Sequence, residues 1–290
     1  LGADAMYSNT TGLGNTATGA SALTFNTIGS FNTANGYSAL GFSKTGIQNT
    51  AIGAYVLNYN SSGSNNTASG YQSLPQNDAG SSNTANGAAS MYFNTEGNNN
   101  VAVGSSSLHQ NITGNNNTAL GQGAGYLSSG DGNVFIGNQA GFSERTGSNK
   151  FYVGNDQLHT LLYGDFSTGQ VLLGNLNPTG YVFAGTRTLN VTGGVLADSI
   201  RLAPSDQWAD FVFDSSYALP SLGEVGAFVK EKRHLPGIPS AGEVAVSGVS
   251  LGEMNQKLLQ KVEELTLYLI QQQKEIAELK SMVKELAVKK

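Results

Sequence analysis

An asparagine recurs every 17 residues through the first half of the chain, at Asn15, Asn32, Asn49, Asn66, Asn83, Asn100 and Asn117. A strict period of this length leaves essentially one architecture, a solenoid in which each repeat forms one turn stacked on the last. Two glycine columns keep the same period. One is Gly19, Gly36, Gly53, Gly70, Gly87, Gly104 and Gly121; the other is Gly12, Gly29, Gly46, Gly63, Gly80, Gly97 and Gly114. Glycine takes positive φ without a Cβ penalty, so the two columns read as two tight corners joining two short strands per turn. After Asn117 the spacing shortens to 16, and Asn133 and Asn149, with Gly137 and Gly154, read as the fading end of the series. Gly2 stands 17 residues before Gly19, so the sequence opens in mid-turn and the native chain is expected to continue upstream.

Stacked turns place Asn over Asn and Thr over Thr at roughly 4.8 Å, and about eight turns would make a rod on the order of 40 Å long. Each turn brings little apolar volume: one Ala after the Asn-Thr pair, then Leu23, Leu40, Leu57, Leu74, Met91 or Leu108. Burying a Leu contributes roughly 1.5–3 kcal/mol, whereas ordering each backbone residue costs about 1–2 kcal/mol. A single turn cannot fold alone, and so thin a core predicts that several chains share apolar surface along an axis.

Repeated Asn-Thr-Ala-x-Gly followed by a small-x-Leu step, as in Asn32-Thr33-Ala34-Asn35-Gly36 with Ser38-Ala39-Leu40, resembles the YadA-like head repeats of trimeric adhesins over about residues 1–155. The resemblance implies a left-handed parallel β-roll, three chains per fibre, an adhesive outer surface and an extracellular location. The turn of 17 residues is longer than that family's, so the extra residues are expected to bulge at one corner.

The period then ends. Phe151-Tyr152-Val153, Leu161-Leu162-Tyr163, Val171-Leu172-Leu173, Tyr181-Val182-Phe183, Leu189-Asn190-Val191 and Val195 to Leu202 read as brief strands, and 156–203 as a β-rich neck of the phage-fibre kind. A small helical region with a Pro-rich linker is expected over 204–249. Capping-box pairs start helices at Ser221 with Glu224, Ser240 with Glu243 and Ser250 with Glu253; Pro236 and Pro239 separate the first two, and Gly248 stops the second. Residues 250–290 carry a heptad: Asn255, Val262, Leu269, Ile276 and Val283 at a, Leu251, Leu258, Leu265, Gln272, Leu279 and Leu286 at d. The expectation is a coiled coil in which Asn255 and Gln272 set register and Glu275 pairs with Lys280 of a neighbour. Val or Ile at a with Leu at d favours two strands by the simplest rule; the need for shared burial along the roll, with the resemblance, points to three. Trp208 to Asp214, His234 to Ser240 and Leu258 to Ile270 are distantly similar to the endosialidase intramolecular chaperone of tail fibres. In that family a Ser and a Lys release the chaperone, but after Ser205-Asp206 no Lys or Arg follows until Lys230, so cleavage is not carried over.

Charged residues make up only 12% of the chain, 38 residues are Gly, and there is no Cys. This composition is unlike a globular enzyme and removes disulfides and thiolate sites. A net charge of -5 without a Lys/Arg cluster argues against nucleic acid and membrane surfaces as partners. His109, His159 and His234 lack ligand spacing, the glycines recur with the solenoid and form no phosphate loop, and Ser205, Asp206 and His234 carry no nucleophile motif. No cofactor, metal or catalytic residue is therefore expected. Trp208 reads as packing under the helices, and Phe31, Tyr37, Tyr55, Tyr71 and Tyr92 read first as packing or interface residues and second as platforms for sugar rings. The expected function is an adhesive fibre module, homotrimeric, directed at a cell-surface or glycan receptor. Its alternatives are a receptor-binding tail fibre and, on the Thr column 16, 33, 50, 67, 84 and 118 that Val101 interrupts, an ice- or lattice-binding solenoid.

Overall fold

The computed structural model describes residues 2–176 (side chains to 174), 188–191, 194–200 and 209–288. The chain divides into two compact units, Leu1–Leu196 and Ala197–Lys290. The first is a parallel β-solenoid. Three-residue strands β1 (Thr16–Thr18) to β8 (Val134–Ile136) and the longer β9 (Lys150–Gly154) stack in sequence order. In the early rungs the first two strand positions pair like with like: Thr16 on Thr33, Ala17 on Ala34, Thr33 on Thr50, Ala34 on Ala51.

The strands are short because the left-handed positions on either side end them. Each regular turn holds three left-handed non-glycine residues, for example Phe31 (φ 59), Ser38 (φ 54) and Leu40 (φ 50). Each such residue costs about 1–2 kcal/mol on its own, so the stacked hydrogen bonds must hold it in place. The two glycine columns share close approach to the next turn but differ in φ. Gly36 has φ 140, as corner chemistry expects. Gly46 and its column have no left-handed φ. A Cβ on Gly46 would lie 2.4 Å from the Gly63 carbonyl oxygen, so close approach of the next turn selects glycine there.

The 16-residue spacing occurs once. Asn117 is followed in register by Asn133, but the next position in the column is Lys150, whose N–H donates to Asn133 Oδ1 at 2.9 Å. Asn149, expected in the Asn column, instead takes the left-handed position before it, with φ 59.

One chain closes its own apolar core. The strand alanines and Leu23, Leu40, Leu57, Leu74, Met91 and Leu108 are fully buried or nearly so without a partner chain. Where the Leu column lapses to Gly125 and Gly141, Phe135 replaces the strand Ala, and its ring fills the space. A Cβ on either glycine would meet that ring at 2.6 or 2.2 Å. Sharing of the Leu column between chains is thus not required for burial.

The parallel stack ends where β9 pairs antiparallel with β10 (Thr160–Asp165), which pairs antiparallel with β11 (Gln170–Leu176); β11 pairs parallel with β12 (Leu189–Val191). Four of the six expected brief strands are these. Tyr181-Val182-Phe183 lies outside the described residues, and of Val195 to Leu202, expected as strand, residues 195–200 are exposed and without regular structure while 201 and 202 lie outside the described residues.

The second unit contains a 3-10 turn (Ala209–Phe213) and helices α1 (Leu222–Lys232), α2 (Ala241–Ser247) and α3 (Leu251–Val288). Ser221 and Ser240 form complete capping boxes with Glu224 and Glu243. At Ser250 the hydroxyl accepts from Glu253 N at 3.4 Å. Gly248 ends α2 as expected, with φ 66. Helix α3 has 38 residues, about 57 Å at the usual rise.

Candidate binding face and association helix

The repeat asparagines are internal. Asn32, Asn49, Asn66, Asn83, Asn100 and Asn117 are buried, and only Asn15, in the outermost regular turn, is half-buried. Each side-chain oxygen accepts from the backbone N–H of the Asn one turn on, as in Asn49 N to Asn32 Oδ1 at 3.0 Å. Each amide donates to a glycine carbonyl of the second column, as in Asn32 Nδ2 to Gly46 O at 2.8 Å. The pairing explains why the Asn and Gly columns share one period: the amide holds the carbonyl of the residue that must come close. Such satisfied buried polar groups specify register more than they add stability. These residues form the internal scaffold of the roll.

A second buried amide column escaped sequence inspection: Asn26, Asn60, Asn77, Asn94 and Asn111. Asn77 Nδ2 donates to Asn60 Oδ1 at 2.6 Å and to Gly80 O at 2.7 Å. Its period was visible, but Ser43 and Ser128 break it. At the far end Glu144 replaces the amide, accepting from Gly147 N at 2.9 Å and from the Tyr152 hydroxyl at 2.5 Å. Lys150 pairs with Asp165 at 2.6 Å beside it. Burial opposes ionisation of Asp165, yet hydrogen bonds from Lys150 and Ser167 together hold its carboxyl below the usual carboxylate range.

What the roll presents outward is sparsely charged. On the strand face the Thr column is interrupted at Val101 and Val134, and the neighbouring column turns from Thr18 and Asn35 to Val103, Leu120 and Ile136. Aromatic rings form further columns. Phe25, Phe42 and Tyr59 stack at 4.9 and 5.0 Å. Tyr37, Tyr55 and Tyr71 meet edge to face at 5.2 and 6.3 Å. Tyr92, His109, Tyr126 and Phe142 stack at 5.4, 4.6 and 4.7 Å. Of the aromatics singled out in the sequence, Tyr37, Tyr71 and Phe31 are exposed and Tyr55 and Tyr92 half-buried. Phe25, Phe42, Tyr59, Tyr126 and Phe142 went unnoticed because each ring column lasts only three or four turns. His109, held between two rings, has Nδ1 buried without a partner, and desolvation pushes its pKa down.

Helix α3 divides its surface sharply. Leu251, Leu258, Val262, Leu265, Leu269, Ile276, Leu279, Val283 and Leu286 are 44–68% exposed, and Asn255 and Gln272 are exposed with them. The flank packed within the unit is polar. Tyr217 donates its hydroxyl to Glu264 at 2.5 Å, Gln260 reaches the same carboxylate at 2.8 Å, and Lys261 pairs with it at 2.8 Å. Burial opposes ionisation of Glu264, but the bonds from Lys261, Tyr217 and Gln260 hold its carboxyl below the usual range. Tyr268 hydrogen-bonds the Pro220 carbonyl, and Ala209 and Val212 are buried in this unit.

His234, at the end of α1, approaches the Leu235 carbonyl at 3.1 Å and stands edge-on to Phe228; Ser205, Asp206 and Trp208 lie outside the described residues. No described helix is long and apolar enough to cross a membrane. No family model matches the chain, and no curated protein or solved structure matches it.

Proposed function

We propose that the chain is a structural, non-enzymatic module of an extracellular fibre, assembling as a homotrimer through α3 and presenting the sparsely charged Asn/Thr/Ser and aromatic surface of the roll to a cell-surface or glycan receptor. The observation that carries this is α3. Nine apolar side chains at heptad spacing stand 44–68% exposed along one stripe, while Gln260, Lys261 and Glu264 make polar contacts within the unit. Fully burying side chains of this kind contributes roughly 1.5–3 kcal/mol each, and copies of the same stripe bury it in a parallel coiled coil. Three is the number that the likeness to YadA-like repeats implies. Because the roll closes its own Leu column, the drive to associate rests on α3 and not on the solenoid core. Linked rolls then bind through avidity, many weak contacts acting at high effective concentration.

Light scattering tests this on the whole chain beside Leu265→Asp/Leu269→Asp, which puts carboxylates into the stripe and leaves the packed flank alone. A mass near three times 30.1 kDa, about 90 kDa, that falls to the monomer in the variant is the expected result. A dimer would keep the helix and remove the trimeric likeness. A wild-type monomer would end the proposal.

A further inference from the structure

The ring columns are broken near the start of the roll. In the column of Tyr7, Tyr92, His109 and Tyr126, the turns between carry Thr24, Gly41, Asn58 and Pro75. The missing ring volume opens a groove of about 350 Å3 walled by Tyr7, Phe25 and Phe42, with Thr24, Ser38 and Gly41 between them. Gly41 leaves the groove floor without a side chain, and a Cβ there would lie 2.8 Å from Asn58 Oδ1 and 3.3 Å from the Ser38 carbonyl oxygen. Phe25 ends its stack: Phe42 covers one face, and the residue one turn earlier in that column is Ser8, so the other face has no ring against it. Among the described residues the hydroxyls of Ser21 and Ser38 and the carboxylate of Asp4, which also line the groove, have no hydrogen-bond partner.

An open aromatic face next to unpaired hydroxyls and a carboxylate, in a space of this size, matches one ligand chemistry. A pyranose lays its C–H face on the ring, and its hydroxyls donate to the carboxylate and exchange hydrogen bonds with the serines. Charge narrows the class. Residues 2–141 carry five charged side chains, Asp4, Lys44, Asp78, Glu96 and Asp131, of which only Lys44 is a cation. Nothing here attracts a sialylated or sulfated glycan or a nucleic acid, whereas a neutral sugar needs no counter-charge. We propose that the groove between Tyr7 and Phe42 binds a neutral pyranose unit of a glycan. This rests on the adhesive reading above and names its ligand class.

Saturation-transfer NMR on the full chain tests it with the methyl glycosides of glucose, galactose, mannose and N-acetylglucosamine at millimolar concentration. Ser38→Tyr plugs the groove. Tyr55 holds the same column one turn on with the same left-handed backbone (φ 57), so the fold accepts the ring, and an unchanged circular dichroism melt verifies it. Phe93→Ala removes an exposed ring elsewhere and serves as control. The expected result is transfer to the ring C–H protons of at least one glycoside, weakened at least about tenfold by Ser38→Tyr, the scale of losing one aromatic contact, and unchanged by Phe93→Ala. Transfer to none of the four, or transfer that survives Ser38→Tyr, overturns the site. A surface coated with neutral N-glycans separates this from the adhesive reading. Retention that persists in Ser38→Tyr refutes the groove and leaves adhesion standing. Glycoside transfer with no retention supports the groove and refutes adhesion through neutral glycans.

Discussion

Ser43 interrupts the second amide column, and the interruption leaves two buried atoms without a protein partner, Asn26 Oδ1 and Ser43 Oγ. In the intact part of the column each amide receives one bond from the next turn and makes two, to the previous amide and to the glycine three residues on, as Asn77 and Asn94 do. Ser43→Asn should complete the column. The introduced amide can donate to Asn26 and to the Gly46 carbonyl and accept from Asn60. Relief of a buried orphan is worth roughly 1–3 kcal/mol, and each added bond about 0.5–1.5 kcal/mol net. Ordering the longer side chain takes back about 1 kcal/mol, and the relaxed serine has kept part of the rest, so the expected gain is about 2 kcal/mol. Equilibrium urea unfolding followed by far-ultraviolet circular dichroism measures it as a higher midpoint at constant slope. The reverse change, Asn77→Ser, creates the same gap in an intact part of the column and should cost a similar amount. An unmoved or lowered midpoint for Ser43→Asn would refute the reasoning. A buried water bridging the gap would produce that result, because it satisfies the same atoms.

Gly46→Ala should destabilise about as much as Gly36→Ala, roughly 3 kcal/mol each, although only Gly36 has a left-handed φ. The two would-be Cβ atoms each lie 2.4 Å from a carbonyl oxygen of the next turn, and urea midpoints within about 0.5 kcal/mol of wild type for Gly46→Ala would dismiss close approach as the cause. The stability of the roll should fall as pH drops below the ordinary histidine value of 6.5, because His109 is held lower in the fold and the unfolded chain takes up the proton first. The contribution is fully present above 6.5 and is lost towards the lower folded value, so thermal melts at pH 8 and pH 5 should differ less for His109→Phe than for wild type. An equal difference would place the pH dependence elsewhere.

The Asn15-to-Asn117 period is legible by eye because a solenoid repeats its environment: one position in each turn meets the same neighbours, so one residue type serves throughout. The same logic made the capping serines and the α3 heptad readable, since both depend on contacts within a few residues along the chain. Phe135 is different. It replaces an Ala in one column to fill a space left by Gly125 and Gly141 in another, and compensation between columns has no period of its own. The Lys150 register was missed for a related reason. A single shortened turn moves every later residue by one position, and the pairing of Val134 with Phe151 shows that the period then resumes.

The sequence by itself determined the stacked turn, its repeat length, the switch to helices after Ser221 and the stripe on α3, all of them consequences of local periodicity. Tertiary structure alone decided that one glycine column answers to φ and crowding together and the other to crowding alone, that two amide columns and not one run inside the roll, and that a single chain buries its Leu column. Those outcomes depend on distances between atoms a full turn apart, and a sequence records which residues recur but not how closely the turns approach.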